Sequence, residues 1–175
     1  MSTLNSPDEQ PPSLGFAEQV EQLMKLPQSL CKQRGMCCKM ATFTGSLSIQ
    51  EIQAILADPT HEKHESAVDF LHIFEPYDSQ ETVKEIAPEF LNRVRDKAIE
   101  KGKTNLDEIT FFKCKLVLED GRCGVHEDRP AGCRQYPVPF KDTLYHPGCG
   151  FEKKGIENWK KIEGILETLE EMANS

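Results

Sequence analysis

Apolar residues recur at intervals of three and four along much of the chain, a spacing that is typical of amphipathic helices. The first such stretch predicts a helix with Phe16, Val20 and Leu23 on its apolar face. Pro27 ends this helix or lies just beyond it, because proline lacks the N–H that a helix interior requires. The polar, proline-bearing residues 1–13 that come before it predict a disordered tail.

A second helix is predicted after Ser48. This serine stands three residues before Glu51, which is the spacing of a capping box, and apolar residues follow at helical intervals. Two more helices are expected over about residues 66–74 and 83–102, and Gly102 is a plausible stop for the second. The apolar side of this longer helix is predicted to consist of Ile86, Phe90, Val94 and Ile99.

After Asn105 the pattern of residues no longer predicts a helix. The next segment predicts two short strands around Asp120–Gly121, a dipeptide that is the standard signal of a two-residue hairpin loop. The prolines of residues 129–147 exclude a long helix or a central strand there, because each proline removes a backbone donor. This part of the chain is therefore expected to be a hairpin followed by irregular loops.

A last amphipathic helix is predicted from about Gly155. Taken together, the patterns predict an α+β fold that is mainly helical, with a helical body packed around an irregular, cysteine-lined hairpin and loop element. Residues 14–175 are expected to form one domain. The last helix is predicted to bury a single face made of Trp159, Ile162, Ile165, Leu166, Leu169 and Met172.

Composition narrows the choice of partner and compartment. The 175 residues carry a formal net charge of −8 at pH 7. Such a surface repels nucleic-acid phosphate and anionic lipid, so neither is an expected partner. No apolar run approaches the roughly 20 residues of a membrane helix. The first residues also lack the basic and apolar regions of a secretory signal, so a cytoplasmic protein is expected.

The cysteines form two groups that are separated by a long stretch without a thiol. In a reducing cytosol, clustered cysteines bind metal or carry out redox chemistry more often than they form disulfides. A metal ion or cluster is therefore the expected ligand, and packing as small buried side chains is the alternative. The candidate metal ligands are Cys31, Cys37, Cys38, Cys114, Cys123, Cys133 and Cys149.

Geometry limits how the first group can bind. On one straight helix, Cys31 and Cys38 would lie about 10 Å apart along the axis. The sulfurs around one zinc ion must lie within about 4 Å of each other, so the chain has to fold back, and Gly35 permits this. Side chains of adjacent residues diverge. Of Cys37 and Cys38, one ligates and the other packs, or each meets a different metal atom.

Arg129 and Arg134 stand on either side of Cys133 in the sequence. Nearby cations lower the pKa of a thiol and donate hydrogen bonds to sulfur, so both arginines are expected to contact the bound cofactor. A surface ion pair with a neighbouring carboxylate is the alternative. The prolines of this segment would hold the ligands in place and so reduce the entropy lost on binding.

The number of thiols leaves the kind of site open. One four-ligand site leaves three cysteines over, and two such sites need one donor more than the cysteines supply. His126 or His146 could provide it. A zinc ion and a [4Fe–4S] cluster each take four thiolates, so the cofactor is either zinc or an iron–sulfur cluster.

Two sequence stretches resemble a known family. They are "CKQRGMCC" and "CKLVLEDGRCGVHEDRPAGCRQYP", closed by Cys149, and they are similar to the YkgJ-like cysteine-cluster family, also called the CxxCxxCC zinc- or iron-chelating domain. The resemblance covers about residues 31–150. In it, Arg34 occupies the place of the second cysteine, and His126 stands where the family often has tyrosine. The resemblance implies metal binding, and a similar domain occurs in flagellin lysine methylases.

The sequence therefore predicts a metal-binding protein that holds a zinc ion or an iron–sulfur cluster through clustered thiolates, with no assigned biological role. The alternative is an iron–sulfur or thiol redox enzyme, or a methylase-like accessory, that acts on another protein. No catalytic residues are identified, since the carboxylates form no evident catalytic pair. Either hypothesis allows a protein partner.

Overall fold

The computed structural model describes residues 15–174, so the tail predicted for residues 1–13 lies outside the described residues. Helices dominate this part of the chain, and two short 3-10 helices, Gln28–Leu30 and Leu106–Glu108, join the longer elements. The α-helices are α1 (Phe16–Met24), α2 (Met36–Lys39), α3 (Ile49–Ala57), α4 (His64–Ile73), α5 (Gln80–Ile86), α6 (Pro88–Glu100), α7 (Ala131–Gln135) and α8 (Glu152–Ala173). Within these residues, no helix is long and apolar enough to cross a membrane.

The capping box predicted at Ser48 is confirmed and begins α3. The Ser48 hydroxyl accepts a hydrogen bond from the Glu51 amide at 3.1 Å, and the Glu51 carboxylate accepts one from the Ser48 amide at 2.7 Å. Both hydrogen bonds provide partners for backbone amides that would otherwise have none at the N-terminus of the helix. The apolar stripe that follows is also confirmed, because Ile52 and Ile55 are buried.

The single helix predicted over residues 83–102 is two helices. The break falls at Ala87, whose backbone is not helical and which stands before Pro88, the first residue of α6. Ile86 therefore belongs to α5, and both Ile86 and Ile99 are exposed, so the predicted apolar side is wrong at these two positions. Phe90, Leu91, Val94 and Ala98 are the buried residues of α6. The predicted stop is confirmed: Gly102 has a φ of 79° and donates to the Ile99 carbonyl.

Three short antiparallel strands form the sheet, in the order β1-β3-β2. They are β1 (Ala41–Thr42), β2 (Phe74–Pro76) and β3 (Phe111–Cys114). Ala41 pairs with Phe112, and Phe74 pairs with Cys114. The sheet and the helices together confirm the mainly helical α+β fold.

The prediction that two strands flank the turn is wrong. The central strand β3 pairs with β1 and β2, because these partners let its phenylalanines enter the core, and the segment after it retains one isolated bridge between Val117 and Cys123. The turn itself lies where it was predicted. The Leu118 amide donates to the Arg122 carbonyl at 2.9 Å, so three residues, and not two, lie in the loop, and the last of them, Gly121, has a φ of 85°.

The central strand separates two parts of the core. Successive residues of a strand point to opposite faces, so Phe111 packs with α5 and α6, while Phe112 packs with α3 and α4. A third, smaller cluster contains Leu26, Tyr145 and Phe151, against which Leu30, Cys31 and Cys149 pack.

The last helix, α8, packs against α1. The side-chain amide of Asn158 on α8 donates to the Leu23 carbonyl at 2.8 Å. The prediction of one fully buried face is wrong for the second half of α8. At about 1.5 Å per residue, the 22 residues of α8 extend well beyond the 9 residues of α1. Ile162 is buried, whereas Leu166, Leu169 and Met172 are exposed.

Candidate metal centre

Gly35 turns the chain at the first cysteine group. It has a φ of 68° and comes directly before α2, which carries Cys37 and Cys38. Its backbone lies against the hairpin turn, and a Cβ added to Gly35 would stand 1.6 Å from the Gly121 carbonyl oxygen. The chain therefore folds back at Gly35, as expected, and the fold sets Cys37 and Cys38 beside the hairpin.

Two cysteines of the second group flank this hairpin. Cys114 ends β3 and is buried, and its sulfur accepts a hydrogen bond from the Leu116 amide at 3.3 Å. Cys123 faces Val117 across the isolated bridge. A hydrogen bond with Cys37 and burial raise the pKa of Cys38, and the charges of Cys114 and Cys123 raise it further. The packing of α2 against β3 brings these thiols to the same part of the fold.

Cys133 lies on α7 and joins the same neighbourhood. Burial raises the pKa of the Cys133 thiol, the charges of Cys114 and Cys123 add to this, and the Arg129 guanidinium opposes it. Burial likewise raises the pKa of Cys114, to which Cys123 and Cys37 also contribute. Mutual repulsion of this kind is what a bound cation would relieve.

Cys31 and Cys149 share a set of hydrophobic neighbours. Both pack against the cluster of Leu26, Tyr145 and Phe151. Cys31 follows the first 3-10 helix, and its sulfur accepts a hydrogen bond from the Gln33 amide at 3.4 Å. Burial raises the pKa of Cys149, the charges of Cys37 and Cys31 raise it further, and Arg34 lowers it.

Cys37 differs from the other cysteines because it is exposed. The hydrogen bond from Cys38 lowers the pKa of Cys37 to about 7, despite the opposing effect of desolvation, and Arg129 contributes to the lowering. A lowered pKa favours the thiolate, which is the form that binds metal.

The two arginines predicted to contact a cofactor occupy different positions. The Arg129 side chain donates a hydrogen bond to the His126 carbonyl at 3.0 Å, and its positive charge acts to lower the pKa of Cys37 and of Cys133. The Arg134 side chain is exposed on α7 and makes no hydrogen bond or ion pair with any residue that the structure describes. The role of both residues toward a cofactor stays a prediction.

His146, considered as an additional donor, is buried and stacks on Phe90 with ring centroids 3.8 Å apart. Its Nε2 lies 2.9 Å from the Met40 carbonyl, which can only accept, so Nε2 carries the proton. Burial lowers the pKa of His146 to about 4, and the charges of Arg34 and Arg93 also lower it. Its Nδ1 has no hydrogen-bond partner among the described residues.

The donor set fits a thiophilic metal in kind. All seven cysteines are described, and all are free thiols. Thiolates with a neighbouring arginine are typical ligands of zinc and of iron–sulfur clusters. Between residues 15 and 174, no three Cys, His, Asp or Glu side chains stand close enough to hold a metal ion as they are placed. A bound ion would therefore have to draw the sulfurs together.

Sequence reasoning missed Lys39. The Lys39 ammonium lies against the hairpin turn, 2.7 Å from where a Cβ on Gly121 would stand. No local pattern marks a lysine after two cysteines, since this contact depends on how distant segments meet.

Comparison with known proteins gives one result. Residues 30–158 match the CxxCxxCC family model, described as "Putative zinc- or iron-chelating domain". No curated protein and no solved structure matches the chain. Aligned with the pattern C-x-x-C-x-x-C-C, the chain reads Cys31, Arg34, Cys37 and Cys38, so that arginine stands at the second cysteine position.

Proposed function

Because the chain belongs to the CxxCxxCC family, we propose that its clustered thiolates hold a zinc ion or an iron–sulfur cluster. The observation that carries this proposal is the convergence of thiols that are distant in sequence. The helix α2, which carries Cys38, packs against β3, which ends at Cys114, and the Gly35 backbone lies against Gly121. The charges of Cys114 and Cys123 also raise the pKa of Cys133 on α7. All seven cysteines named above remain candidate ligands.

The metal would act as a structural centre for the irregular part of the chain. From residue 115 to 144 the regular structure consists of α7 and one isolated bridge. The buried residues of this stretch are Gly121, Pro137 and Pro139, so it contributes almost no apolar side chains to a core. Loops of this length are uncommon in compact domains unless something else holds them, and a bound metal can do so.

Arginine would balance the charge of the site. The Arg129 guanidinium acts on Cys37 and Cys133, and a permanent cation there favours the thiolate form over the thiol. We assign Arg129 this role, and we assign Arg134 a contact with the bound group that requires its exposed side chain to turn toward it. We expect residues 14–175 to form one domain and the protein to lie in the cytoplasm, where reduced thiols persist.

Anaerobic purification followed by elemental analysis tests the proposal. We expect zinc or iron in a fixed ratio to protein. A colourless protein with stoichiometric zinc identifies the ion, and a brown protein that bleaches with dithionite identifies the cluster. Chains that retain neither metal after reconstitution with zinc, and with iron and sulfide, would rule the function out.

A pair of adjacent substitutions tests the ligands. Cys133→Ser removes one thiolate, so bound metal and thermal stability should fall together. Gly132→Ala is the matched control, because the neighbouring Cβ would meet no atom within 4 Å. The control should retain its metal. Equal metal content in the two variants would remove Cys133 from the ligand set.

A further inference from the structure

One side of α6 holds the segment that leads into α8. Phe90, Arg93 and Lys97 follow one another at intervals of three and four residues, so they share a side of this helix. Phe90 stacks on the His146 ring, and the Lys97 ammonium lies 3.3 Å from the Asp142 carboxylate. The segment before α8 therefore runs along α6 and is fixed to it at more than one point.

Arg93 makes the central contacts of this side. Its Nη1 atom donates a hydrogen bond to the Tyr145 carbonyl at 2.8 Å and another to the Glu152 carboxylate at 2.5 Å. Tyr145 stands four residues before Cys149, and Glu152 stands three residues after it. Residues 145–152, the Cys149 turn, are therefore closed at both ends by one guanidinium nitrogen.

Further contacts fix the middle of the Cys149 turn. The Arg34 guanidinium donates a hydrogen bond to the Pro147 carbonyl at 2.9 Å. The turn also packs backbone against backbone, since a Cβ added to Gly150 would stand 1.8 Å from the Leu30 carbonyl oxygen. None of these contacts uses a sulfur atom, so the position of the Cys149 turn does not depend on a bound metal.

The loop around Cys123 is held by contacts of another kind. Its side-chain hydrogen bonds are local: the Arg122 guanidinium donates to the Asp120 carboxylate, and the Arg129 guanidinium donates to the His126 carbonyl. Hydrogen bonds between residues two or three positions apart shape a loop, but they do not tie it to a helix elsewhere in the fold. The two loops should accordingly differ in rigidity when no metal is bound.

We propose that Arg93 is a positioning residue for Cys149. It fixes the Cys149 turn on α6 before a metal binds, so this candidate ligand is already in place while other thiols move toward it. A ligand that is ordered beforehand loses less entropy on binding. The inference deepens the proposed function, on which its metal-binding part rests, and it assigns Arg93 a role without direct contact to the metal.

Hydrogen–deuterium exchange of the reduced, metal-free full-length chain tests the order of the Cys149 turn. Backbone amides of residues 145–152 should exchange more slowly than those of residues 118–126. Arg93→Met retains an unbranched apolar stem but removes both hydrogen bonds, so exchange of the Cys149 turn should become about 10-fold faster. Arg93→Lys should restore much of the protection, because an ammonium also donates more than one hydrogen bond from a single nitrogen.

Arg95→Met is the matched control. Arg95 lies on the same helix and forms an ion pair with Asp107, and its side chain is 32% exposed against 38% for Arg93. This variant should leave exchange of the Cys149 turn within about 2-fold of wild type. Equal exchange of residues 145–152 and 118–126 in wild type contradicts the inference, and so does equal acceleration by Arg93→Met and Arg95→Met.

Zinc affinity, measured by competition with a chromophoric chelator, tests the role toward the metal. Arg93→Met should weaken zinc binding by about 10-fold, and Arg93→Lys should recover part of the loss. Faster exchange with unchanged zinc affinity would show that Arg93 does not position a ligand. If Arg93→Met does not fold, Glu152→Gln, which removes the charge of one Arg93 partner, decides the question by the same two measurements. A wild-type chain that binds neither zinc nor iron contradicts the proposed function instead, and the exchange rates still test the order of the turn.

Discussion

Gly35 and Gly121 pack backbone against backbone, so closely that a Cβ on Gly35 would stand 1.6 Å from the Gly121 carbonyl oxygen. Both residues have positive φ angles, 68° and 85°. The contact joins the loop of Cys37 and Cys38 to the hairpin of Cys114 and Cys123 without help from any side chain at these two positions. Convergence of the two cysteine groups therefore depends on two glycines as well as on the thiols.

Gly35→Ala tests this contact. The added methyl group meets a carbonyl oxygen, and the hairpin has to move away, so we expect a loss of about 3 kcal/mol or more in the free energy of unfolding. Bound metal should decrease as well. Gly102→Ala is the control, because Gly102 also has a positive φ, 79°, but its Cβ would meet nothing within 4 Å. It should cost only about 1 kcal/mol, from backbone strain. Urea unfolding and elemental analysis measure both effects; similar values in the two variants would refute the contact.

Two glycines of α8 allow a second comparison. A Cβ on Gly155 would stand 2.0 Å from the buried Tyr145 hydroxyl, whereas a Cβ on Gly164 would meet nothing within 4 Å. Gly155→Ala should therefore destabilise the protein by about 1–3 kcal/mol through overpacking. Gly164→Ala should stabilise it by about 0.5–1 kcal/mol, since alanine favours a helix. Thermal unfolding measures both, and a stabilising Gly155→Ala would show that the Tyr145 ring can move aside.

Features that neighbouring residues determine could be predicted from the sequence. The capping box of Ser48 and Glu51 acts over three residues, and it begins a helix where expected. Gly102 ends a helix for an equally local reason. The break at Pro88 is local too, but the apolar spacing continues through it, and periodicity alone predicted one helix. Helix positions were thus recovered better than helix boundaries.

Pairings between distant segments could not be predicted in the same way. The hairpin signal at Asp120 and Gly121 identified the turn, but it did not indicate that Phe111 and Phe112 would recruit β1 and β2. The sequence identified the thiols as a set because their residue type and family pattern are distinctive. Their convergence depends on the contact of Gly35 with Gly121, a pairing of distant residues that has no local signature.

Removal of metal should loosen one part of the molecule selectively. Residues 115–144 bury almost no apolar side chains, whereas α3 to α6 pack around the sheet. With a chelator and a thiol reductant present, we expect trypsin to cleave first in this segment, at Arg122 or Lys141, both of which are exposed. Mass spectrometry of the early fragments identifies the sites. First cleavage within α3 to α6 would contradict a structural role of the metal in the loops.

His146 should make the metal-free protein sensitive to acid. Its pKa is about 4 in the folded state, against an ordinary value of 6.5, because the ring is buried. The unfolded chain binds the proton more tightly, so this contribution is complete above pH 6.5 and is lost as the pH falls from 6.5 to 4. The loss should reach up to about 3 kcal/mol in the free energy of unfolding.

Urea unfolding of the reduced, metal-free chain at several pH values between 4 and 7.5 measures this effect. His146→Gln is the control, because the glutamine amide can still donate to the Met40 carbonyl but does not titrate. The decline between pH 6.5 and 4 should be smaller in the variant. Parallel curves for the two proteins would assign the acid sensitivity to other groups.

The packing of α1 against α8 has a consequence for the borders of the family region. The match covers residues 30–158, so α1 lies before it and most of α8 lies after it. These two flanking helices pack against each other, and the Asn158 side-chain amide donates a hydrogen bond to the Leu23 carbonyl. The contact between α1 and α8 consequently joins the beginning and the end of the described chain, on either side of the segment that carries the cysteines. Truncation before residue 30 would remove α1 and expose the face of α8 that packs against it, and truncation after residue 158 would expose the matching face of α1.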